Sequence, residues 1–397
     1  MTAAIDYDPF SDAVMRDPWP FYAALRREAP VYYHEKYDTW FLSRFEDIWA
    51  STINDLFTAE RGVAPEMVLL KRPPPPDPVF SMLDMPRQRD YRRMFVPRYT
   101  RRAANEMEAD VRAMTREILE PLAAKGSFDV YRDLADPLAT RITADLIGIP
   151  EDETFRLRAL VAKFFEREPG QIGGRPENEK AGEELIGGIA AAVQQRMEEG
   201  DQGRDDHISV MMRTEAEGKP LSLASIIGTT HTLLVTGVEV VTLAVANTIY
   251  YLWQNPDQRS QVVADRDQVP HAFAESLRYD QPTNLLGRFV KGEVEMRGQK
   301  LQPGQGVMFL WASGNRDEEE FDEADRFDLS RRPKRSLSFG HGYHKCIGEH
   351  LGNLEGRVLL EEILAVAPDY EVTSGAERAY SEFLHGYHRM PIEFAPR

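Results

Sequence analysis

Ser338-Phe339-Gly340-His341-Gly342-Tyr343-His344-Lys345-Cys346-Ile347-Gly348 holds the only cysteine of a 397-residue chain, so the thiol has no internal disulfide partner. A lone cysteine is ordinarily a small buried hydrophobe. Here Gly340, Gly342 and Gly348 bracket it, and glycine serves where backbone takes positive φ or presses close to a ligand. Beyond it, Ile347, Leu351, Leu354 and Val358 recur at helical spacing, which places Cys346 at a helix N-terminus, where the dipole favours a thiolate. A thiolate is either a nucleophile or a metal ligand. The nucleophile needs a base, and His341 and His344 lie near in sequence, but their spacing alone builds no dyad.

The ligand reading accounts for more residues. A haem iron held by cysteine needs N–H donors around the sulfur, and donor or basic side chains to neutralise two propionates, for which His344 and Lys345 are available.

Composition sets the frame. No Pro/Gly/Ser linker, repeat or low-complexity tract divides the chain, so residues 1–397 read as one domain. Pro73-Pro74-Pro75-Pro76 is a stiff loop segment. The sequence reads as having no signal peptide and no membrane span, which with a single cysteine predicts a cytoplasmic protein. A net charge of -17 argues against nucleic acid as a partner.

Along the chain, Val31-Tyr32-Tyr33 and Thr39-Trp40-Phe41-Leu42 predict a hairpin. Residues 61–82 have no clean period and predict a long loop of the kind used as a lid. Arg87, Arg89, Arg92, Arg93, Arg98, Arg101 and Arg102 crowd the next segment, and in an acidic protein they suggest an anion or an acidic partner. Helical patterns follow near 101–124, 133–147, 152–168 and 177–199. Residues 222–254 carry the longest one, with Ser222 as N-cap and Asn255-Pro256 as its end. About thirty residues at roughly 1.5 Å each would cross a domain, so this is a central helix. Inside it, Thr236-Gly237-Val238-Glu239-Val240 sets a glycine and a carboxylate among apolar residues, which points to a bend with a proton-handling acid. Glu275 and Arg278 fall three apart on a later helix. Short strands at 287–290, 294–296 and 306–310 and a basic meander with Arg331, Arg332, Lys334 and Arg335 lead into the cysteine loop.

Together these residues resemble the cytochrome P-450 family in its soluble bacterial form, over essentially the whole chain. The segment Phe339 to Gly348 matches that family's haem loop at every signature position, and Glu275 with Arg278 matches its Glu-x-x-Arg pair. The resemblance implies a mainly α fold with small β-sheets (α+β), with haem b (iron protoporphyrin IX) between the central helix and the cysteine-loop helix. It implies that Cys346 is the metal ligand, that Phe339 and Gly348 line the haem, and that Arg92, Arg288 and His344 meet the propionates. Gln88 stands where a histidine is common and cannot carry its charge. Arg326 is implied to join Glu275 and Arg278 in a buried triad, and residues 381–392 to form a substrate loop and last hairpin.

The central helix departs from the family pattern. An acid followed by threonine is usual, whereas Glu239 is followed by Val240, which cannot donate a proton during dioxygen activation. Thr242 lies about 200° around the helix, and Thr236 lies one turn before Val240 on its face. The activity implied is a monooxygenase that inserts one oxygen atom from dioxygen into a small to medium hydrophobic substrate. A ferredoxin-type donor with its reductase would dock on the basic thiolate side of a monomer. Use of peroxide, another haem-thiolate reaction, or a haem-based binding or sensing role are the alternatives that Val240 raises. The expected substrate contacts are Leu69, Phe164, Val235, Leu285, Leu286 and Phe383, with Arg61 or Arg72 as a carboxylate holder or a solvent-facing residue.

Overall fold

The structure, a computed structural model, describes residues 5–200 and 202–395. Its axis is the helix Leu223–Gln254, whose 32 residues correspond to about 48 Å at about 1.5 Å each. Ser222 caps it by accepting from the Ser225 N–H, and Asn255 ends it where Pro256 opens the next helix. The helix is apolar enough to cross a membrane, but 67% of its most apolar window is buried inside the protein, as befits a core helix.

Helices Asp136–Ile147, Glu151–Phe165 and Pro176–Glu199 pack against this axis, and Arg101–Ala123 packs along Glu349–Val366. The expected helix at 133–147 begins with a π-helical turn, Val130–Ala135. The one expected to reach 168 stops at Phe165, shortly before Pro169-Gly170, since the residue before a proline avoids helical backbone. Gly237 lets the central helix cross Asp136–Ile147 closely: a methyl group there would lie 2.7 Å from the Thr143 hydroxyl. The segment 61–82 is less irregular than expected and carries the short helix Pro65–Val68, whose Val68 is buried.

Five strands form the main sheet in the order Val31–His34, Thr39–Leu42, Gly306–Leu310, Leu285–Val290, Phe57–Thr58, with the second and third parallel and the other neighbours antiparallel. The predicted hairpin at 31–42 is present. The expected C-terminal hairpin starts earlier than 381–392: Glu377–Arg378 pairs antiparallel with Tyr387–Arg389 around the intervening loop, while Pro391–Glu393 pairs with Glu371–Val372 and Ser127–Asp129 in a separate sheet.

The buried pair Glu275–Arg278 organises the meander. Their side chains are 1% and 0% exposed and meet at 2.7 Å, and Arg278 also donates to the carbonyls of Asn315, Ala324 and Arg326. Arg326 does not complete the triad. Its side chain is 57% exposed and pairs with Glu323 and Asp328, whereas Arg331 reaches Glu275 at 3.3 Å. Arg326 thus contributes its backbone carbonyl, and the second guanidinium comes from five residues later.

Candidate active site

The cysteine loop is folded by backbone. Gly340 and Gly342 have φ of 67° and 70°, and a side chain at Gly342 would collide with Ile53 and the Thr52 carbonyl. The Cys346 N–H donates to the Phe339 carbonyl at 2.8 Å, which closes the loop. The following helix runs Glu349–Val366 with Gly348 at its N-cap, so the thiol stands just ahead of the dipole's positive end. His341 stacks on Trp49 with ring centroids 3.4 Å apart.

Cys346 lines a cleft between this loop and the central helix. Burial pushes its thiol up, and the Gly348 N–H and the Arg92 charge oppose that, so the loop is built to hold a thiolate once a cation shares it. Phe339, Gly348, Gln88, Arg92, Arg288 and His344, the residues expected to surround a cofactor, line the same cleft. Arg92 donates to the Lys345 carbonyl at 2.6 Å, and Gln88 donates to the Tyr343 carbonyl at 2.8 Å, so Gln88 braces the loop rather than supplying charge. Arg288 is buried, and burial lowers it to about 10; His344 is held neutral, lowered to about 3 by burial and by the Arg288 and Arg92 charges.

Among the described residues neither Arg92 nor Arg288 has a carboxylate ion-pair partner. Two desolvated guanidiniums without counter-ions, and a thiol in the same cleft, fit a planar iron-bearing group with two carboxylates. Cys346 would hold the metal, and Arg92, Arg288 and the cleft face of His344 would meet the carboxylates.

On the opposite wall Thr236, Gly237, Val240, Val241 and Ala244 face the cleft. The Thr236 hydroxyl donates to the Thr232 carbonyl at 2.8 Å, and that of Thr242 to the Glu239 carbonyl at 2.6 Å. Glu239 is not brought to the cleft. It points the other way, where Arg158 meets it at 2.6 Å and the Tyr131 hydroxyl donates to it at 3.2 Å. Arg158 also binds Asp136 and donates to Tyr131 at 2.7 Å. Burial pushes Glu239 upward and Arg158 opposes it.

The expected substrate contacts fare less well. Of Leu69, Phe164, Val235, Leu285, Leu286 and Phe383, only Leu286 lines the cleft. Strand alternation turns Leu285 to the opposite face, where it packs with Leu69. Phe164 packs edge-on to Phe165, which stacks on Phe383, and Val235 joins the helical core. Val63, Phe80, Thr232, Leu233 and Thr283 take their place in the cleft wall. Arg72 pairs with Glu179, while Arg61 lies over the Phe289 ring; neither is in the wall.

Two buried groups escaped the sequence reading. Arg167, 1% exposed, binds Glu66 at 2.7 Å and Glu382 at 3.1 Å, tying the end of Glu151–Phe165 to the 61–82 segment and the C-terminal loop. Glu355 lines the cleft, and its Oε2 is buried without a hydrogen-bond partner. The signal was present: Glu355 falls four residues after Leu351 and three before Val358, on the apolar stripe that marked the helix.

A family model described as cytochrome P-450 matches residues 68–366. Cytochrome P-450 130 of Mycobacterium tuberculosis is 30% identical over 90% of this chain and 89% of its own. Vitamin D(3) 25-hydroxylase of Pseudonocardia autotrophica is 28% identical over 100% of this chain and 98% of its own. Among solved structures, a mutant of P-450 EryK in complex with erythromycin B superposes with a TM-score of 0.87 at 26% identity, covering 98% of this chain and 99% of that one. CalO2 does so at 0.85 and 27% identity, with 98% and 99% covered. The cysteine loop, the thiol-bearing cleft and these likenesses converge: the chain belongs to the cytochrome P-450 family and is a monooxygenase of the oxidoreductase class.

Proposed function

We propose that this single-domain, monomeric, cytoplasmic enzyme inserts one oxygen atom from dioxygen into a small to medium hydrophobic substrate, with haem b held by Cys346 and electrons from a ferredoxin-type donor and its reductase. The carrying observation is the shared cleft of Cys346, Arg92 and Arg288, a thiol and two guanidiniums with no carboxylate partner among the described residues. When bound there, the haem supplies the iron centre that activates dioxygen. The protein's part is to keep the thiolate, bury the propionate contacts and hold substrate against an apolar wall of Val63, Phe80, Leu233 and Leu286. Relatives named for vitamin D(3) and seen with erythromycin B support a hydrophobic substrate. The reduced, carbon monoxide-bound spectrum tests the assignment: a thiolate-type band is expected, and its survival in Cys346→Ala would sink it.

Docking of an acidic donor is supported by Arg89, Arg101 and Lys334, which are exposed and make no ion pair among the described residues. Electron transfer from a ferredoxin should slow as salt rises, and a rate indifferent to ionic strength would remove the electrostatic argument.

A second reading, peroxide as oxidant, is favoured by one observation: the cleft wall presents Val240 where a proton donor is usual, and Glu239 is engaged with Arg158. Thr236 is then the central-helix hydroxyl placed to hold a water or a substrate hydroxyl in the cleft. Product formed with the ferredoxin system and abolished by removing dioxygen separates the two readings.

A further inference from the structure

Glu355 sits on the cysteine-loop helix, 5% exposed, with its Oε2 enclosed and unpartnered; among the described residues no cation forms an ion pair with it. It shares the cleft wall with Ala244, Phe273, Leu277 and Leu351, and with Tyr99, which feels its charge. Gly356 beside it lies so close to Phe273 that a methyl group would overlap the ring, so the helix is tightly packed at this point. A carboxylate left in such surroundings costs several kcal/mol, and the group stays neutral instead. Burial alone lifts it to about 8.

The groups that face it add little compensating charge. Tyr99 feels both the Cys346 and the Glu355 charge and bonds at 2.9 Å to His207, which burial holds neutral at about 4. Arg98 lies behind Tyr99 and reaches Asp205 at 3.6 Å. From Arg101–Ala123, Glu108 and Arg112 are taken up by Arg357, Glu361 and Glu362 on the outer face of the cysteine-loop helix. Glu349 pairs with Lys345, and Glu275 with Arg278, while the central helix and Asp136–Ile147 present no charge to this part of the cleft.

We propose that Glu355 is a positioning residue for electron uptake: in solution alkaline enough to ionise its carboxyl, that carboxylate takes a proton as the haem iron takes an electron, so the buried site gains no net charge. The electron comes from the one-electron donor of the reaction and resides on the iron. The proton comes from solvent and forms the O–H bond of Glu355, and no other bond is made or broken. The coupling is reciprocal, since negative charge added in a low-dielectric cleft raises the acid's proton affinity, and the bound proton in turn favours the electron. The inference rests on the haem-thiolate reading of the cleft.

The test is a spectroelectrochemical titration of the haem-loaded protein across pH, with the thiolate-type carbon monoxide band as the check on that reading. Wild type should show a midpoint potential that is flat up to about pH 8 and falls above it. The expected slope is about 59 mV per pH unit, the tenfold change in proton activity converted for a one-electron couple. Glu355→Gln should load haem, keep the carbon monoxide band and lose the slope. Reduced-minus-oxidised infrared spectra of the wild type above that pH should gain a carboxylic acid C=O band that shifts with carbon-13 glutamate, a readout that needs no variant. A slope that persists in Glu355→Gln, which would assign it to the propionates or His344, overturns the proposal, as does a flat wild type without the band. Absence of the thiolate band in the wild type would overturn the haem-thiolate reading itself, and the proposal with it.

Discussion

Glu239 and Glu355 are both buried carboxyl groups, one on the central helix and one on the cysteine-loop helix, yet Glu239 has Arg158 and Tyr131 while Glu355 has no hydrogen-bond or ion-pair partner among the described residues. Glu239 was the acid that the sequence made conspicuous, and the fold turns it away from the cleft into a structural network. Glu355 looked like an ordinary helix residue, and the fold places it in the wall of the thiol-bearing cleft. A buried charge that is fully satisfied holds structure, whereas one left bare is available to respond when the charge beside it changes.

The largest effect should come from unbalancing the satisfied acid. Arg158→Met strands Glu239 and Asp136 without their cation, and removing one partner of a buried pair costs about 3–5 kcal/mol. Chemical denaturation should register that loss, and a change below about 1 kcal/mol, the scale of exposed pairs, would make the network dispensable. Next is Glu355 itself. Its proton affinity is higher in the folded state, at about 8, than in an unfolded chain. The stability it contributes is therefore complete below the unfolded value and is lost as pH rises toward the folded one, at about 1.4 kcal/mol per pH unit. Wild type should weaken by about 3 kcal/mol between pH 5 and 7 relative to Glu355→Gln, and parallel curves for the two proteins would refute the assignment.

Val240→Thr restores a hydroxyl to the cleft wall and should raise product formed per electron, by less than about tenfold because Thr236 remains. An unchanged yield would mean that protons arrive by another route. The smallest effect sharpens the comparison with an intermediate case: Glu66 shares Arg167 with Glu382, so Glu66→Gln leaves the guanidinium paired. Its stability cost should stay within about 1.5 kcal/mol, the scale of one net hydrogen bond, whereas a larger loss by thermal melting would put Glu66 with Glu239.

What was legible from sequence was what glycine, caps and helical period encode locally. The cysteine loop, the central helix with Ser222 and Pro256 at its ends, and the Glu275–Arg278 pair all rest on contacts within a few residues or one helical face. What was not legible depends on how separate elements meet. Leu285 and Leu286 are adjacent, and only the sheet's place against the cleft decides which one faces substrate. Arg331 replaces Arg326 because the meander's path, not its composition, chooses the arginine that reaches Glu275. Glu239 needed Arg158, distant by 81 residues, before its direction could be known.

The lone cysteine has a practical consequence. Its side chain faces the cleft, and the chain has no second thiol at the surface or elsewhere. A thiol-reactive dye therefore has one target, and under the proposed haem-thiolate assignment that target would be hidden whenever iron occupied it. The fraction of molecules labelled in a preparation would then count those that lack the cofactor, and a cysteine introduced elsewhere would be the one attachment point on the loaded enzyme.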